Sequence, residues 1–338
     1  MTKTARIPAI TLNNRVELPA LGLDVFQSPA EQTTAAVEAA IAAGYPLIDT
    51  AASYFNEREV GLGIRNSGID RSQLFVQTKL WISDYGYDSA LRAYDVSLRK
   101  LGLAYVDLYL LHQPMPNEWE RTVAAYKGAE ALLADGRVRA IGVCNFSAKH
   151  LVDLIARTDV VPAVNQVELH PFFIQRNLRD VHARLGIATQ AWSPLGGINV
   201  YRPSDPNAVK NPLQHPAVTT LAAKYGKTPA QVVLRWHIEH GVSAIPKSVR
   251  PARIAENFDV FDFALTQDEI ASIDALDTGV RGGPDPETID TKMFTRTIPD
   301  CSSRHEQPGT GHRGNGRRHH RREQRPRRSH GPPSSRSR

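Results

Sequence analysis

Cysteine is almost absent from this chain, which has only Cys144 and Cys301 among its 338 residues. Two isolated cysteines provide neither a disulfide framework nor a metal-ligand spacing, and such usage is typical of a reducing cytosol. The chain also lacks an apolar run of the ~20 residues that a membrane helix needs, and its first residues lack the apolar core of a signal peptide. We therefore expect a cytoplasmic protein with no metal site and no membrane segment.

Acidic residues are scarce only at the end of the chain. The net charge of +6 arises because residues 301–338 hold eleven Arg and two Glu, whereas residues 1–300 carry a net charge of −3. That last segment has no Leu, Ile, Val, Phe, Tyr or Trp, so it cannot bury apolar area. The composition predicts two parts, a folded domain over residues 1–300 and a disordered, basic, Arg-rich tail over residues 301–338.

Eight short apolar runs recur along the folded part, and most of them end at a polar or charged residue and precede a helix-like stretch. Continuous apolar runs are typical of parallel strands that are buried on both faces, and parallel neighbours require a crossover, usually a helix. Eight such units predict an α/β fold, a (β/α)8 TIM barrel. The runs are Leu21–Phe26, Leu47–Thr50, Leu74–Leu80, Val106–His112, Ala140–Phe146, Ala163–Leu169, Ala188–Pro194 and Ser243–Val249.

A small antiparallel β-hairpin is predicted ahead of the barrel. Ile10–Leu12 and Val16–Leu18 flank a turn at Asn13–Asn14. After the seventh run, the Gly-, Pro- and Asn-rich stretch Gly196–Pro216 predicts a long loop, and long loops after barrel strands are usually functional. Residues 277–300 are expected to form an extended C-terminal loop.

Four polar residues end or follow neighbouring predicted strands: Asp49, Tyr54, Lys79 and His112. Parallel strands lie ~4.8 Å apart, and their carboxyl ends share one side of a barrel. We therefore expect these side chains to converge at one mouth of the barrel. Within residues 1–300, neither GxGxxG nor GxxxxGK[ST] occurs, so the folded part has no Rossmann fingerprint and no Walker loop.

The four side chains suit proton delivery to a carbonyl group that accepts a hydride. A tyrosine of ordinary pKa ~10 is a poor acid at pH 7, but a neighbouring ammonium favours its phenolate, and a carboxylate holds the ammonium in place. A histidine beside them orients the carbonyl oxygen by a hydrogen bond. Two structural interpretations are the alternatives when the residues are taken singly. Tyr54 is then a residue that packs within a loop, and Asp49 and Lys79 form a structural ion pair. Their convergence at strand ends favours catalysis.

The residues around these positions resemble the aldo-keto reductase family closely. The resemblance runs from Ile10 to about Arg281, with the family's stretches in matching order and spacing. The Trp192 variant and the short loops are most similar to the bacterial branch that contains 2,5-diketo-gluconate reductases. The stretches are Leu47–Gly61 (LIDTAASYFNEREVG), Leu74–Trp81 (LFVQTKLW), Val106–Pro114 (VDLYLLHQP), Ile141–Phe146 (IGVCNF), Val164–Pro171 (VNQVELHP), Trp192–Gly196 (WSPLG) and Ile245–Asp262 (IPKSVRPARIAENFDVFD).

The resemblance implies that Tyr54 is the proton donor and that Asp49 and Lys79 tune it. It implies that His112 orients the substrate carbonyl, and that NADPH lies extended across the mouth of the barrel. The residues implied in NADPH binding are Asn145 and Gln166 at the carboxamide, Trp192 at the nicotinamide ring, Ser193 and Leu195 along the pyrophosphate, Lys247, Ser248 and Arg253 at the 2′-phosphate, and Glu256 and Asn257 at the adenine.

The residues themselves support the phosphate end of this assignment. Lys247, Ser248, Arg250 and Arg253 cluster just after the eighth run, where a helix N-terminus also favours an anion. A solvated surface is the alternative interpretation of this cluster. Simple core filling is the alternative for Trp192, whose indole N–H would still need a partner.

Three residues depart from the family pattern. Asp24 stands in the first run where a small neutral residue is usual, and a carboxylate there repels a pyrophosphate unless it points away or pairs with a cation. Cys144 replaces the usual serine before Asn145 and is a weaker hydrogen-bond donor. Gln113 replaces a usual tryptophan beside His112, which makes one wall of the expected substrate pocket polar.

Together these observations predict a monomeric, NADPH-dependent reductase of small aldehydes, ketones or α-dicarbonyls. Two other functions stay open: an NADPH-binding redox sensor with little turnover, and a nucleic-acid-binding protein that acts through the tail. The tail has no aromatic residue for base stacking, so it offers only unspecific, salt-sensitive attraction to nucleic acid. We therefore expect a small carbonyl substrate as the partner, without an indication of which one.

Overall fold

The architecture is that of a computed structural model, which describes residues 7–196 and 211–299. The chain divides into two units, Met1–Ser302 and Ser303–Arg338. The second unit lies outside the described residues. So do the predicted tail and most of the predicted loop Gly196–Pro216.

The hairpin that precedes the barrel is present as predicted. Its strands, β1 (Ala9–Thr11) and β2 (Glu17–Pro19), pair antiparallel. Leu12 N–H donates to the Val16 carbonyl, so the loop comprises residues 13–15, and Arg15 adopts a left-handed φ of 68°. A three-residue hairpin loop commonly ends in such a conformation. Two buried leucines of the hairpin join the apolar cluster inside the barrel.

Eight parallel strands form one sheet in chain order, and every predicted apolar run overlaps one of them. A parallel bridge joins Asp24 at the first strand to Lys247 after the last. Gly22 N–H also donates to the Ala244 carbonyl over 3.0 Å. The sheet is therefore closed, which confirms the predicted (β/α)8 barrel. The strands are β3 (Leu23–Asp24), β4 (Leu47–Asp49), β5 (Phe75–Leu80), β6 (Val106–Leu111), β7 (Val138–Cys144), β8 (Val164–Glu168), β9 (Ala188–Trp192) and β10 (Ser243–Ala244).

Helices connect the strands and cover the outside of the barrel. Over the described ranges they are α1 (Ala30–Ala43), α2 (Glu57–Ser67), α3 (Tyr87–Leu101), α4 (Trp119–Ala134), α5 (Ala148–Ile155), α6 (Arg176–Leu185), α7 (Pro216–Tyr225), α8 (Pro229–Glu239), α9 (Pro251–Phe258) and α10 (Gln267–Asp274). None of these helices is long and apolar enough to cross a membrane. Capping boxes begin α8, at Thr228, and α10, at Thr266, where each hydroxyl accepts a backbone N–H.

Strand alternation divides the core into two layers. In β6, Leu108 and Leu110 belong to a cluster inside the barrel, whereas Tyr109 and Leu111 pack among residues of the surrounding helices. Successive side chains of a strand point to opposite faces. Every second residue near the carboxyl end of a strand therefore points into the mouth of the barrel, and this brings side chains of distant sequence together there.

The helices α2 and α3 approach so closely that a side chain at Gly61 has no room. A Cβ at this position would lie 1.9 Å from the Leu101 carbonyl oxygen, which is backbone and cannot rotate away. We expect Gly61→Ala to lower the free energy of unfolding by about 1–3 kcal/mol, because overpacking outweighs the gain in helix propensity. Urea unfolding measures this change. Arg58→Ala, at an exposed position of the same helix, is the control, and an equal effect of both substitutions would contradict the close approach.

Candidate active site

The side chains of Asp49, Lys79 and Tyr54 meet at the carboxyl end of the barrel. Asp49 is the last residue of β4, Lys79 lies near the end of β5, and Tyr54 ends a short 3-10 helix, Ala52–Tyr54. Lys79 Nζ donates to Asp49 Oδ2 over 2.6 Å and to the Tyr54 hydroxyl over 3.0 Å. One ammonium therefore bridges a carboxylate and a phenol.

The ion pair between Asp49 and Lys79 is completely buried, with both side chains 0% exposed. A buried pair is tolerated only where its remaining donors and acceptors are satisfied. Lys79 Nζ also donates to the Thr50 carbonyl over 3.1 Å. Asp49 Oδ1 accepts from the amides of Gln77 and Gln166 over 2.5 and 3.1 Å. These contacts hold the ammonium in one position beside the phenol.

Three glutamine amides form a hydrogen-bonded network with Asp49. Gln190 Oε1 accepts from Gln77 Nε2 over 2.7 Å and from Gln166 Nε2 over 2.8 Å. Gln190 Nε2 donates to the Ser243 hydroxyl over 3.2 Å. Gln77 and Gln190 are not among the predicted site residues. The signal for both is a long amide side chain within a buried strand.

His112 lies beside Tyr54, with ring centroids 5.7 Å apart. Its Nδ1 lies 3.3 Å from the Ser53 hydroxyl. Burial, followed by the positive charges of Lys79 and Arg296, holds the pKa of His112 well below its ordinary value. The imidazole is therefore neutral at pH 7. A Ser53 hydroxyl that donates to Nδ1 leaves the proton on Nε2, as a donor.

A cavity of about 500 Å³ opens at Tyr54 and His112. Its volume lies within the usual range of small-molecule sites. Trp81 Nε1 donates to the Arg296 carbonyl over 2.9 Å, and the Trp81 ring centroid lies 5.6 Å from that of Phe294. The C-terminal segment, residues 275–299 after α10, thus forms one wall of the cavity.

Further hydrogen bonds fix this C-terminal segment to the barrel. The backbone N–H groups of Gly282 and Gly283 each donate to the buried Glu168 carboxylate over 2.9 Å. Farther along, Thr291 Oγ1 donates to Glu118 Oε1 over 2.6 Å. Neither anchor is predictable from the sequence, because each joins residues more than a hundred positions apart.

The residues assigned to the nicotinamide end lie in the same cavity. Trp192 Nε1 donates to Asn145 Oδ1 over 2.8 Å, and Asn145 Nδ2 donates to the His112 carbonyl over 3.1 Å. Asn145 and Ser193 have left-handed φ values of 64° and 47°. Such backbone is costly for residues with a side chain and clusters at functional sites. Leu195, which follows in the chain, is half-buried.

Cations gather where the chain leaves β10 and enters α9. Lys247, Arg250 and Arg253 are exposed, and among the described residues none of the three has an ion-pair partner. The buried Ser248 accepts a hydrogen bond from Arg250 N–H over 3.1 Å. Unpaired cations at a helix N-terminus are the donors that a phosphate requires. The chemistry of this cluster therefore fits the 2′-phosphate of NADPH.

The two residues assigned to the adenine lie on the same helix, α9. Asn257 is buried and Glu256 is half-buried. Glu256 Oε1 accepts a hydrogen bond from the Thr228 hydroxyl over 2.9 Å. The structure thus groups them with the cation cluster, and the predicted cofactor residues fall into two sets at the carboxyl side of the barrel.

The three departures from the family pattern have different surroundings. Gln113 lines the cavity, and its carbonyl accepts from the Tyr85 hydroxyl over 2.5 Å. Asp24 also lines the cavity. Cys144 is buried, and burial raises the pKa of its thiol, which therefore stays protonated. Two of the three departures thus contribute polar groups to the cavity itself.

Comparison with known proteins identifies the family. A family model described as "Aldo/keto reductase family" matches residues 20–278. Morphine 6-dehydrogenase of Pseudomonas putida is 57% identical over 292 residues, which cover 86% of this chain and 98% of that protein. Methylglyoxal reductase DkgA of Escherichia coli (strain K12) is 46% identical over 280 residues, which cover 82% of this chain and 96% of that protein.

Solved structures lead to the same family. The aldo-keto reductase of Bombyx mori in complex with NADP is 35% identical, with a TM-score of 0.76 over 86% of this chain and 97% of that chain. An aldo/keto reductase from Brucella melitensis is 45% identical, with a TM-score of 0.74 over 80% of this chain and 100% of that chain. The predicted family is confirmed: this chain belongs to the aldo-keto reductases and is an NADPH-dependent oxidoreductase.

Proposed function

We propose that this enzyme reduces small aldehydes, ketones or α-dicarbonyls to alcohols, with Tyr54 as the proton donor. The observation that carries this proposal is the 3.0 Å contact between Lys79 Nζ and the Tyr54 hydroxyl, beside a cavity large enough for a small substrate. A phenol in contact with a buried ammonium is a suitable general acid.

Lys79 stabilises the phenolate that remains when Tyr54 has given its proton to the carbonyl oxygen. Asp49 keeps the ammonium charged and in place, since the two groups are 2.6 Å apart and shielded from water. The bound cofactor supplies the hydride for the carbonyl carbon. The protein's contribution is a positioned proton and a fixed positive charge where negative charge develops.

His112 is proposed to orient the substrate carbonyl. Its neutral imidazole lies beside Tyr54, so an Nε2–H donor and the phenol can bind the same carbonyl oxygen. A neutral donor leaves the acidic proton to Tyr54. Ser53 supports this arrangement through its contact with Nδ1.

Two sets of residues are proposed to hold NADPH. Lys247, Ser248 and Arg253 would bind the 2′-phosphate by charge and hydrogen bonds at the start of α9. The residues proposed for the rest of the cofactor are Asn145 and Gln166 at the carboxamide, Trp192 at the nicotinamide ring, Ser193 and Leu195 at the pyrophosphate, and Glu256 and Asn257 at the adenine. The hydrogen-bond donors in the cavity and the cations at the start of α9 support this arrangement.

The cavity walls suggest a substrate with both apolar and polar surface. Trp81 and Phe294 supply aromatic faces, whereas Gln113 and Arg296 contribute an amide and a guanidinium. We expect the protein to act as a monomer on a small carbonyl substrate. The cysteine usage favours the cytoplasm.

Removal of the phenolic hydroxyl tests the proton donor. We expect Tyr54→Phe to lower kcat by about 10²–10⁴-fold, since this is the usual contribution of general acid catalysis. NADPH affinity, measured by quenching of tryptophan fluorescence, should stay within about twofold of the parent value. Tyr87→Phe, at an exposed tyrosine of α3, is the matched control. A loss below tenfold would exclude Tyr54 from this role.

The phosphate assignment is tested by coenzyme choice. We expect Arg253→Ala to weaken NADPH binding by about ten- to a hundredfold, because a charge-assisted hydrogen bond contributes about 1.5–3 kcal/mol. NADH lacks the 2′-phosphate, so its dissociation constant should hardly change. Fluorescence titration with both coenzymes measures the difference, with Arg99→Ala on α3 as a surface control. Equal weakening of both coenzymes would contradict the assignment.

A further inference from the structure

Asp24 and Asp49 lie directly opposite each other on neighbouring parallel strands. In the register of β3 and β4, Leu23 pairs with Ile48 and Asp24 with Asp49. Side chains at paired positions leave a sheet on the same face, and here that face is the interior of the barrel. The two carboxyl groups are therefore buried neighbours inside the barrel, and Asp24 also lines the cavity at Tyr54.

A hydrogen bond between two carboxyl groups requires a proton, because ionised carboxylates have acceptors only. Asp24 is 7% exposed and Asp49 is 0% exposed, so water does not screen two negative charges here. Two charged groups change the pKa of Asp24: the Asp49 carboxylate raises it and the Lys79 ammonium lowers it. One buried ammonium offsets one carboxylate, and the second carboxyl is stable in its neutral form.

The other titratable side chains nearby do not change this balance. Tyr54 and His112 line the same cavity, and the imidazole is neutral at pH 7. The Cys144 thiol of β7 is buried and protonated. A parallel β-bridge joins the backbones of Lys247 and Asp24, but the Lys247 side chain is exposed. Arg296 is tied to a backbone carbonyl of the 3-10 helix over 2.6 Å.

Burial, and secondly the charge of Asp49, raise the pKa of Asp24 well above its ordinary value, although Lys79 and the Phe26 N–H oppose this shift. Phe26 N–H donates to Asp24 Oδ1 over 2.9 Å, which leaves Oδ2 to carry a proton. We propose that Asp24 is a positioning residue that shares one proton with Asp49, and that carbonyl reduction slows when this proton is lost to solvent.

This inference rests on the proposed function, because it gives the shared proton a role in carbonyl reduction. Proton transfer from Tyr54 leaves a phenolate next to Lys79. An ionised Asp24 would add a second negative charge beside Asp49 and would oppose formation of that phenolate. Loss of the shared proton would also remove the hydrogen bond that this proton provides to Asp49.

The first test compares pH profiles. Asp24→Asn places a permanent amide donor where the protonated carboxyl stands, and Asp24→Gly removes the group. We expect the kcat/KM ratio of Asp24→Asn to wild type, with methylglyoxal as the probe, to rise about tenfold or more from about pH 5 to about pH 9, since one pH unit beyond a pKa is a factor of ten. Asp24→Gly should show the same trend at lower overall activity. A constant ratio overturns the role in reduction.

The second test needs neither substrate nor cofactor. A carboxyl whose pKa is raised on folding stabilises the fold fully below its unfolded pKa of ~3.9, and this contribution is lost as the pH rises through the folded pKa. Wild type should therefore lose stability relative to both Asp24 variants above about pH 4, by about tenfold in the unfolding equilibrium constant per pH unit. Urea unfolding measures this. Parallel curves overturn the shared proton.

Glu57 of α2 is the matched control. Burial raises the pKa of its carboxyl too, but Glu57 accepts a hydrogen bond from Thr78 and does not line the cavity. Glu57→Gln should alter the stability curve and leave the pH dependence of kcat/KM unchanged. The same change in the activity ratio as for Asp24→Asn would overturn the proposal. Absence of any carbonyl turnover by wild type would contradict the proposed function, whereas the unfolding curves would still decide whether the proton is shared.

Discussion

The buried contact between Asp49 and Lys79 is the constraint on which the rest of the site depends. A carboxylate and an ammonium without water are tolerated only if every remaining donor and acceptor is satisfied. The barrel meets this requirement with the Thr50 carbonyl and with the amides of Gln77 and Gln166. The ammonium that is fixed in this way lies within hydrogen-bond distance of Tyr54, so the position of the proposed acid follows from the packing of the ion pair.

Closure of the barrel gives this arrangement its precision. The interior is apolar in β6 and on the side of the hairpin, and amides and charged groups occupy the carboxyl ends of the strands. Because all eight strands are parallel, their carboxyl ends open on one side. The proposed catalytic cluster, Asn145 with Trp192, and the cations at the start of α9 therefore come from separate parts of the chain and lie at the same side of the barrel.

The sequence predicts the barrel and the meeting of Asp49, Lys79 and Tyr54 at its mouth, because both depend on local patterns. Apolar runs mark the strands, and a polar residue at the end of a run marks a side chain at the mouth. What it does not predict depends on contacts between distant residues. The amide of Gln190, the anchoring of Gly282 at Glu168 and the pairing of Asp24 with Asp49 each require the strand register or the path of the C-terminal segment. The left-handed backbone of Arg15 in the hairpin loop is likewise not indicated by its residue type.

The residues proposed for proton transfer and the residues that shape the cavity wall lie in different parts of the chain. Proton transfer is assigned to side chains of the strands and of the short loops beside them, whereas Phe294 and Arg296 belong to a segment fastened to the barrel by a few hydrogen bonds. Substitutions in that segment are free to reshape the wall of the cavity without disturbing the buried ion pair. Two relatives have names that refer to molecules as different as morphine and methylglyoxal. A cavity wall that varies independently of the buried ion pair permits such differences.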